Sequence, residues 1–118
     1  MLAKKSVSRI KDLFVNTPTN AQRIYGLQFY NLGIPYTVVI DDYAAVTKGN
    51  AVNGAFSKLT DNNGLWPMLL EKAFAKFYGN YDAINGGNFN KAIELMTGYP
   101  GESISLSDFT VDSLWEYL

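Results

Sequence analysis

Three places in this sequence carry residue types that could do chemistry: the adjacent carboxylates Asp41-Asp42, the oxygen-rich run Asp61-Asn62-Asn63-Gly64, and the glycine pair Gly86-Gly87. Two carboxylates divide acid and base duty when they flank one reacting bond. Neighbours along a strand, however, point to opposite faces, so Asp41 and Asp42 read as turn and end-of-strand hydrogen bonding. The Asp61 run starts like a calcium loop but lacks the alternating ligand spacing and the closing bidentate Glu. A helix-entry turn is the expectation there. Gly86-Gly87 has two readings on its residues alone. Without β-carbons the backbone can approach an extended peptide closely and pair with it, and the same dipeptide also makes a plain turn between two helices.

Two absences exclude more chemistry than these motifs suggest. The 118 residues include no Cys and no His. Without Cys there is no thiolate nucleophile, disulfide framework or thiolate metal site. Without His the commonest general base near neutral pH is missing, so neither Ser-His-Asp nor Cys-His chemistry can be completed within the chain. The usual zinc sites are excluded as well. Ten basic against eleven acidic residues leave a net charge of -1, too little field to expect nucleic acid as a partner. No apolar run approaches the roughly 18 residues of a membrane span, so no membrane partner is expected. A content of 47% hydrophobic and 14% aromatic residues predicts one compact domain with a real core.

The elements that must hold the glycine pair are legible in Leu65–Gly98. Trp66, Leu69, Leu70, Ala73, Phe74 and Phe77 recur at the spacing of one helix face, with Glu71, Lys72 and Lys76 opposite. The expected core residues are Leu65, Trp66, Leu69 and Phe74, while Glu71 and Lys72 belong to a solvated face, with local capping or pairing the alternative for Glu71. Asn63 suits the N-cap, Pro67 the first turn and Gly79 the C-terminal left-handed position. A second helix is expected over about 90–97, closed by Gly98 with Pro100 just beyond. The two helices flank the double glycine.

Upstream, Ser8–Phe14 suits a short helix, and Asn16–Asn20 a loop. Between Ile24 and Tyr43 the period changes to two, with Tyr25, Leu27 and Phe29, a turn at Asn31-Leu32-Gly33, then Tyr36, Val38 and Ile40. This predicts a β-hairpin. Val46–Gly64 reads as a long surface loop anchored by Ala55 and Phe56. Toward the C-terminus Ile104, Leu106 and Phe109 alternate imperfectly, and Asp112–Leu118 suits the start of a third helix.

Taken in order, Gly33–Tyr43 (Gly-x-Pro-x-x-Val-Val-Ile-Asp-Asp-Tyr), Leu65–Lys76, Gly79–Gly87 (Gly-Asn-Tyr-x-Ala-Ile-x-Gly-Gly) and Leu95–Gly98 closely resemble the calpain-type cysteine protease core. The upstream segments Ser8–Phe14 and Tyr25–Tyr30 are similar to the stretch following that family's catalytic Cys helix. The resemblance implies an α+β fold: residues 1–118 as a single partial papain-like, calpain-type core domain with an antiparallel hairpin and a central amphipathic helix. It places the family's nucleophilic Cys before the part matching Leu2-Ala3, and its His and Asn beyond the present C-terminus. No catalytic residue is therefore expected here. Gly86 and Gly87 match the double glycine lining the substrate cleft, and they are the substrate-binding candidates. Gly64 stands where many calpains have an acidic calcium ligand, so no calcium or other cofactor is expected, and Tyr99 departs from the common Thr-Gly-Gly.

The expected function is that of a fragment or derivative of a calpain-like cysteine endopeptidase, supplying one wall of the peptide cleft and not proteolytic alone. A non-catalytic structural or protein-interaction subunit that keeps the fold is the alternative. An unrelated small enzyme using carboxylates, Lys or Ser is a third, weaker one. Partners would be a peptide or protein substrate of the full-length parent, or a protein covering the cleft face. An intracellular, cytoplasmic location is expected. The basic, acid-free first eleven residues make a mitochondrial one the weaker alternative.

Overall fold

Alternating apolar residues with β-branched neighbours make Ile24–Asn31 (β1) and Ile34–Asp41 (β2) an antiparallel hairpin, with Tyr25 opposite Ile40, Leu27 opposite Val38 and Phe29 opposite Tyr36. These pairs lie on one face of the sheet, and all but Tyr36 are buried. The computed structural model describes residues 7–16, 21–46, 57–61 and 64–117. The hairpin turns on Leu32 and Gly33, at φ 51° and 78°. Two consecutive positive φ angles define the two-residue turn whose twist matches that of the flanking strands. Glycine adopts this conformation without strain, whereas leucine does not.

Ahead of the hairpin, Val7–Lys11 forms a short helix (α1). The chain then runs along the outer edge of β1: Gln28 N–H donates to the Leu13 carbonyl at 2.7 Å and Val15 N–H to that of Gly26 at 2.8 Å. The Asn16 side chain continues this pairing, donating to the Ile24 carbonyl and accepting from Gly26 N–H. An edge strand presents unpaired backbone groups. Here the edge of β1 is covered by a segment too short to count as a strand.

Trp66–Tyr78 (α2) packs on β2, and Phe89–Thr97 (α3) packs on β1. Phe29 is fully buried between them, its ring 4.9 Å from that of Phe74 and 6.0 Å from that of Phe77. Tyr25, Leu27, Val38, Ile40, Leu69, Ala73 and Leu95 complete the core around it, with Leu70, Phe74, Phe77 and Met96 packed alongside. Each large side chain buried in this way is worth about 1.5–3 kcal/mol. Pro67 sits in the first turn of α2 as expected. Asn63 lies outside the described residues; the N-cap position belongs to Leu65, which contributes no side-chain cap. At the other end of α3, Gly98 is left-handed at φ 76° and its N–H donates to the Glu94 carbonyl. A β-carbon there would lie 3.0 Å from the Tyr30 ring, so both dihedral and space require glycine.

Two expectations are corrected. Leu65 is 44% exposed rather than core, because it precedes the helix and escapes its buried face. Glu71 and Lys72 are not a solvated face: Glu71 accepts from Ser57 N–H, and Lys72 donates to Asp41 and to the Tyr43 carbonyl. The helix is flanked on that side by the end of β2 and the segment preceding α2. Along the imperfect alternation of Ile104, Leu106 and Phe109 the chain forms a single 3-10 turn, Leu106–Asp108, before Val111–Tyr117 (α4). With no strand alongside, a period of two has nothing to pair with.

Candidate functional site

The glycine pair lies between α2 and α3 in a stretch built from local hydrogen bonds. Asn80 Oδ1 accepts from Ala83 N–H at 2.8 Å and so caps the 3-10 turn Asp82–Ile84. Asn85 N–H closes that turn on the Asp82 carbonyl at 3.2 Å. On the far side Asn88 is the N-cap of α3, its side chain accepting from Asn90 N–H at 2.8 Å and Lys91 N–H at 3.5 Å. Asn donors and acceptors favour such positions because they replace backbone partners missing at helix ends. Gly86 and Gly87 are thus held from both sides by capped elements.

The two glycines differ in why they are glycine. Gly86 has φ +71°, which an L side chain rarely adopts, so the turn itself demands it. Gly87 has no such dihedral, and a β-carbon on it would meet only the Ile84 carbonyl at 3.7 Å, an ordinary contact. Among the described residues neither glycine's N–H or C=O has a hydrogen-bond partner, and both residues are exposed. Gly87 borders a groove of about 570 Å³ between α2 and the start of α3, with Phe74, Tyr78, Ile84 and Phe89 on its walls and Glu71 and Lys91 among its charged residues. Free main-chain groups beside an apolar groove are what an extended peptide requires of a binding surface.

Asp41 and Asp42 are not brought together. Asp41 Oδ1 accepts from Lys72 Nζ and, at 2.8 Å, from Tyr43 N–H, whereas Asp42 Oδ2 pairs with Arg23 Nε at 2.8 Å. The Lys72 hydrogen bond, then that from Tyr43, hold the Asp41 carboxyl below its usual range. This carries it away from the neutral range a general base needs. Their role is to fasten the end of β2 to α2 and to Arg23.

Residues Asn62 and Asn63 of the oxygen-rich run lie outside the described residues. Gly64 closes a turn, its N–H donating to Thr60 Oγ1 at 2.8 Å and its carbonyl accepting from Thr60 N–H at 3.2 Å. A β-carbon at 64 would lie 2.7 Å from that hydroxyl. A side chain at 64 would require that hydroxyl to shift, and among the described residues no group of three or more acidic, Cys or His side chains could hold a metal.

Sequence reasoning missed the lysine clamp. Lys72 reaches Asp41 and the Tyr43 carbonyl, and Lys76 donates to the Val39 carbonyl at 2.6 Å. The signal was present: two lysines four residues apart share a helix side, and Asp41 ends a strand. What was not readable is that this side faces β2. Tyr81, next to the 3-10 turn, is partly buried, and that burial, reinforced by Glu71, pushes its hydroxyl pKa up.

No helix among the described residues is long and apolar enough to cross a membrane. Residues 2–118 match the family described as calpain family cysteine protease. The chain is 34% identical over 118 residues to the calpain-type cysteine protease DEK1 of Arabidopsis thaliana, an alignment covering 95% of this chain and 5% of that protein. It is 38% identical over 89 residues to calpain clp-1 of Caenorhabditis elegans, covering 75% of the chain and 11% of the relative. With calpain-12 of Mus musculus the identity is 34% over 87 residues, covering 74% and 12%. The chain therefore spans a small part of the length of these relatives. Its hairpin with two packed helices agrees with the mixed α+β core expected from the sequence blocks, and with a match across nearly all its residues the chain belongs to the calpain family of cysteine proteases.

Proposed function

We propose that residues 1–118 form part of the catalytic core of a calpain-like cysteine endopeptidase, supplying one wall of its peptide cleft and cutting nothing by themselves. The observation that carries this is the exposed main chain of Gly86 and Gly87, without a hydrogen-bond partner among the described residues, with Gly87 on the border of the groove between α2 and α3. Gly86 shapes the lip through its positive φ, and Gly87 leaves room for a substrate backbone. The nucleophile and its base come from elsewhere in the parent protein, because the chain has neither Cys nor His. Substrates are protein segments in extended conformation, and the setting is intracellular.

Titration of the labelled chain with a capped pentapeptide of β-branched residues tests the cleft by amide NMR. Shifts centred on Gly86, Gly87 and Asn88, lost in Gly87→Val while the rest of the spectrum is kept, are the expected result. Binding mapped to another face would overturn it. The coding sequence around Met1 and Leu118 tests the parentage: a Gln-x-x-x-Gly-x-Cys-Trp segment in frame upstream and a Gly-His segment downstream are expected. Stop codons on both sides would favour the non-catalytic interaction subunit instead. Peptidase activity of the purified chain alone would overturn both readings.

A further inference from the structure

Four asparagines fall within eleven residues around the cleft lip, and three are tied down. Asn80 accepts from Ala83 N–H, Asn88 accepts from Asn90 N–H and Lys91 N–H, and Asn90 donates to Ser103 Oγ. Each is followed by a residue with a bulky side chain: Tyr81, Phe89 or Lys91. Asn85 differs on every count. It is exposed, its side chain has no hydrogen-bond partner among the described residues, and it is followed by Gly86, whose N–H is also unpaired.

We infer that Asn85-Gly86 is a deamidation site, a spontaneous modification that places a carboxylate on the lip of the cleft. The Gly86 amide nitrogen, on losing its proton to solvent base, attacks the Asn85 side-chain carbonyl carbon. The bond to the side-chain nitrogen breaks, ammonia leaves with a proton from solvent, and a cyclic succinimide forms. Water then opens the ring. Cleavage at the side-chain carbonyl gives aspartate, and cleavage at the main-chain carbonyl gives isoaspartate, so the balance is one water consumed and one ammonia released. Glycine at 86 removes the β-carbon that hinders this attack. Ring closure requires rotation about Asn85 ψ from its 119°, and among the described residues no hydrogen bond from Gly86 or Gly87 opposes it.

The consequence for binding rests on the cleft reading above. Aspartate adds a negative charge at the C-terminal end of the 3-10 turn, where the backbone carbonyls disfavour it. Isoaspartate also lengthens the main chain by a methylene immediately before Gly86, displacing the very amides offered to the peptide. Deamidation would therefore act as an age-dependent loss of substrate docking.

The test ages the purified chain at neutral and mildly alkaline pH and maps deamidation by peptide mass and by enzymatic methylation of isoaspartate. Conversion at Asn85 is expected to be several-fold faster than at Asn80, Asn88 or Asn90, to accelerate with pH, and to vanish in Asn85→Gln. An intact Asn85 under conditions that convert an Asn-Gly model peptide would overturn the inference. In a second arm the pentapeptide is titrated into fresh and aged chain, with several-fold weaker binding expected of the isoaspartate form. Equal binding would overturn the docking consequence. If the fresh chain itself fails to bind, the cleft reading falls and the mass-based arm still decides the modification.

Discussion

The hairpin with its two helices and the segment Tyr99–Tyr117 use similar residues to opposite effect. In the first, Tyr25, Leu27, Phe29, Val38 and Ile40 are buried against α2 and α3. In the second, Leu106, Val111, Trp115 and Tyr117 are exposed, Trp115 at 75%, and the segment contributes no residue to the core. Its contacts are mostly with itself: Phe109 and Tyr117 rings lie 5.4 Å apart, Tyr117 is hydrogen-bonded to Glu102, and Thr110 and Ser113 exchange hydrogen bonds at the start of α4. The difference teaches that an amphipathic pattern specifies which face can be buried, while burial itself needs a second surface.

Substitutions can break that contrast or sharpen it. Phe29→Ala should cost about 3–5 kcal/mol, since the side chain is fully buried between two aromatic rings; urea unfolding followed by circular dichroism measures it. A loss below about 1 kcal/mol would mean that this centre is not the cooperative core. Leu32→Asp should act in the opposite sense. Leucine is strained at φ 51° and 85% exposed, and Asp-Gly suits this turn, so a gain of about 0.5–1 kcal/mol is expected in the same assay.

Trp115→Ser should change stability by no more than about 0.5 kcal/mol, because the indole lies outside the core. A larger loss would show that α4 is coupled to the hairpin after all. Acid gives the mildest effect. The folded state lowers the Asp41 pKa, chiefly through Lys72, so its contribution is present above the ordinary carboxylate value of about 3.9 and is lost as pH falls through the folded value. Asp41→Asn should therefore be slightly less stable than the parent at neutral pH, with the two unfolding midpoints converging in acid.

Much of the candidate site could be read beforehand, and the reason is local. Gly79, Gly98 and Pro67 punctuate helices through dihedral preferences that do not depend on distant residues. The glycine pair stood out for the same reason. Its two members were indistinguishable in sequence, however, because the φ of Gly86 and the open space around Gly87 arise from the capped elements on either side. The Asn80 and Asn88 caps look like ordinary polar loop residues until the helix boundaries are known.

The amino-acid sequence by itself determined the element types, the alternation that buries one hairpin face, and the exclusion of Cys and His chemistry, since each follows from side-chain identity and short-range spacing. Only the tertiary structure decided that Glu71, Lys72 and Lys76 serve the hairpin and its neighbouring loop rather than solvent. It also decided that Thr60 fills the space beside Gly64, and that Gly86 and Gly87 have no main-chain hydrogen bond among the described residues. The lysine contacts depend on surfaces that meet across 31 and 37 residues of chain, an encounter set by packing rather than by local preference.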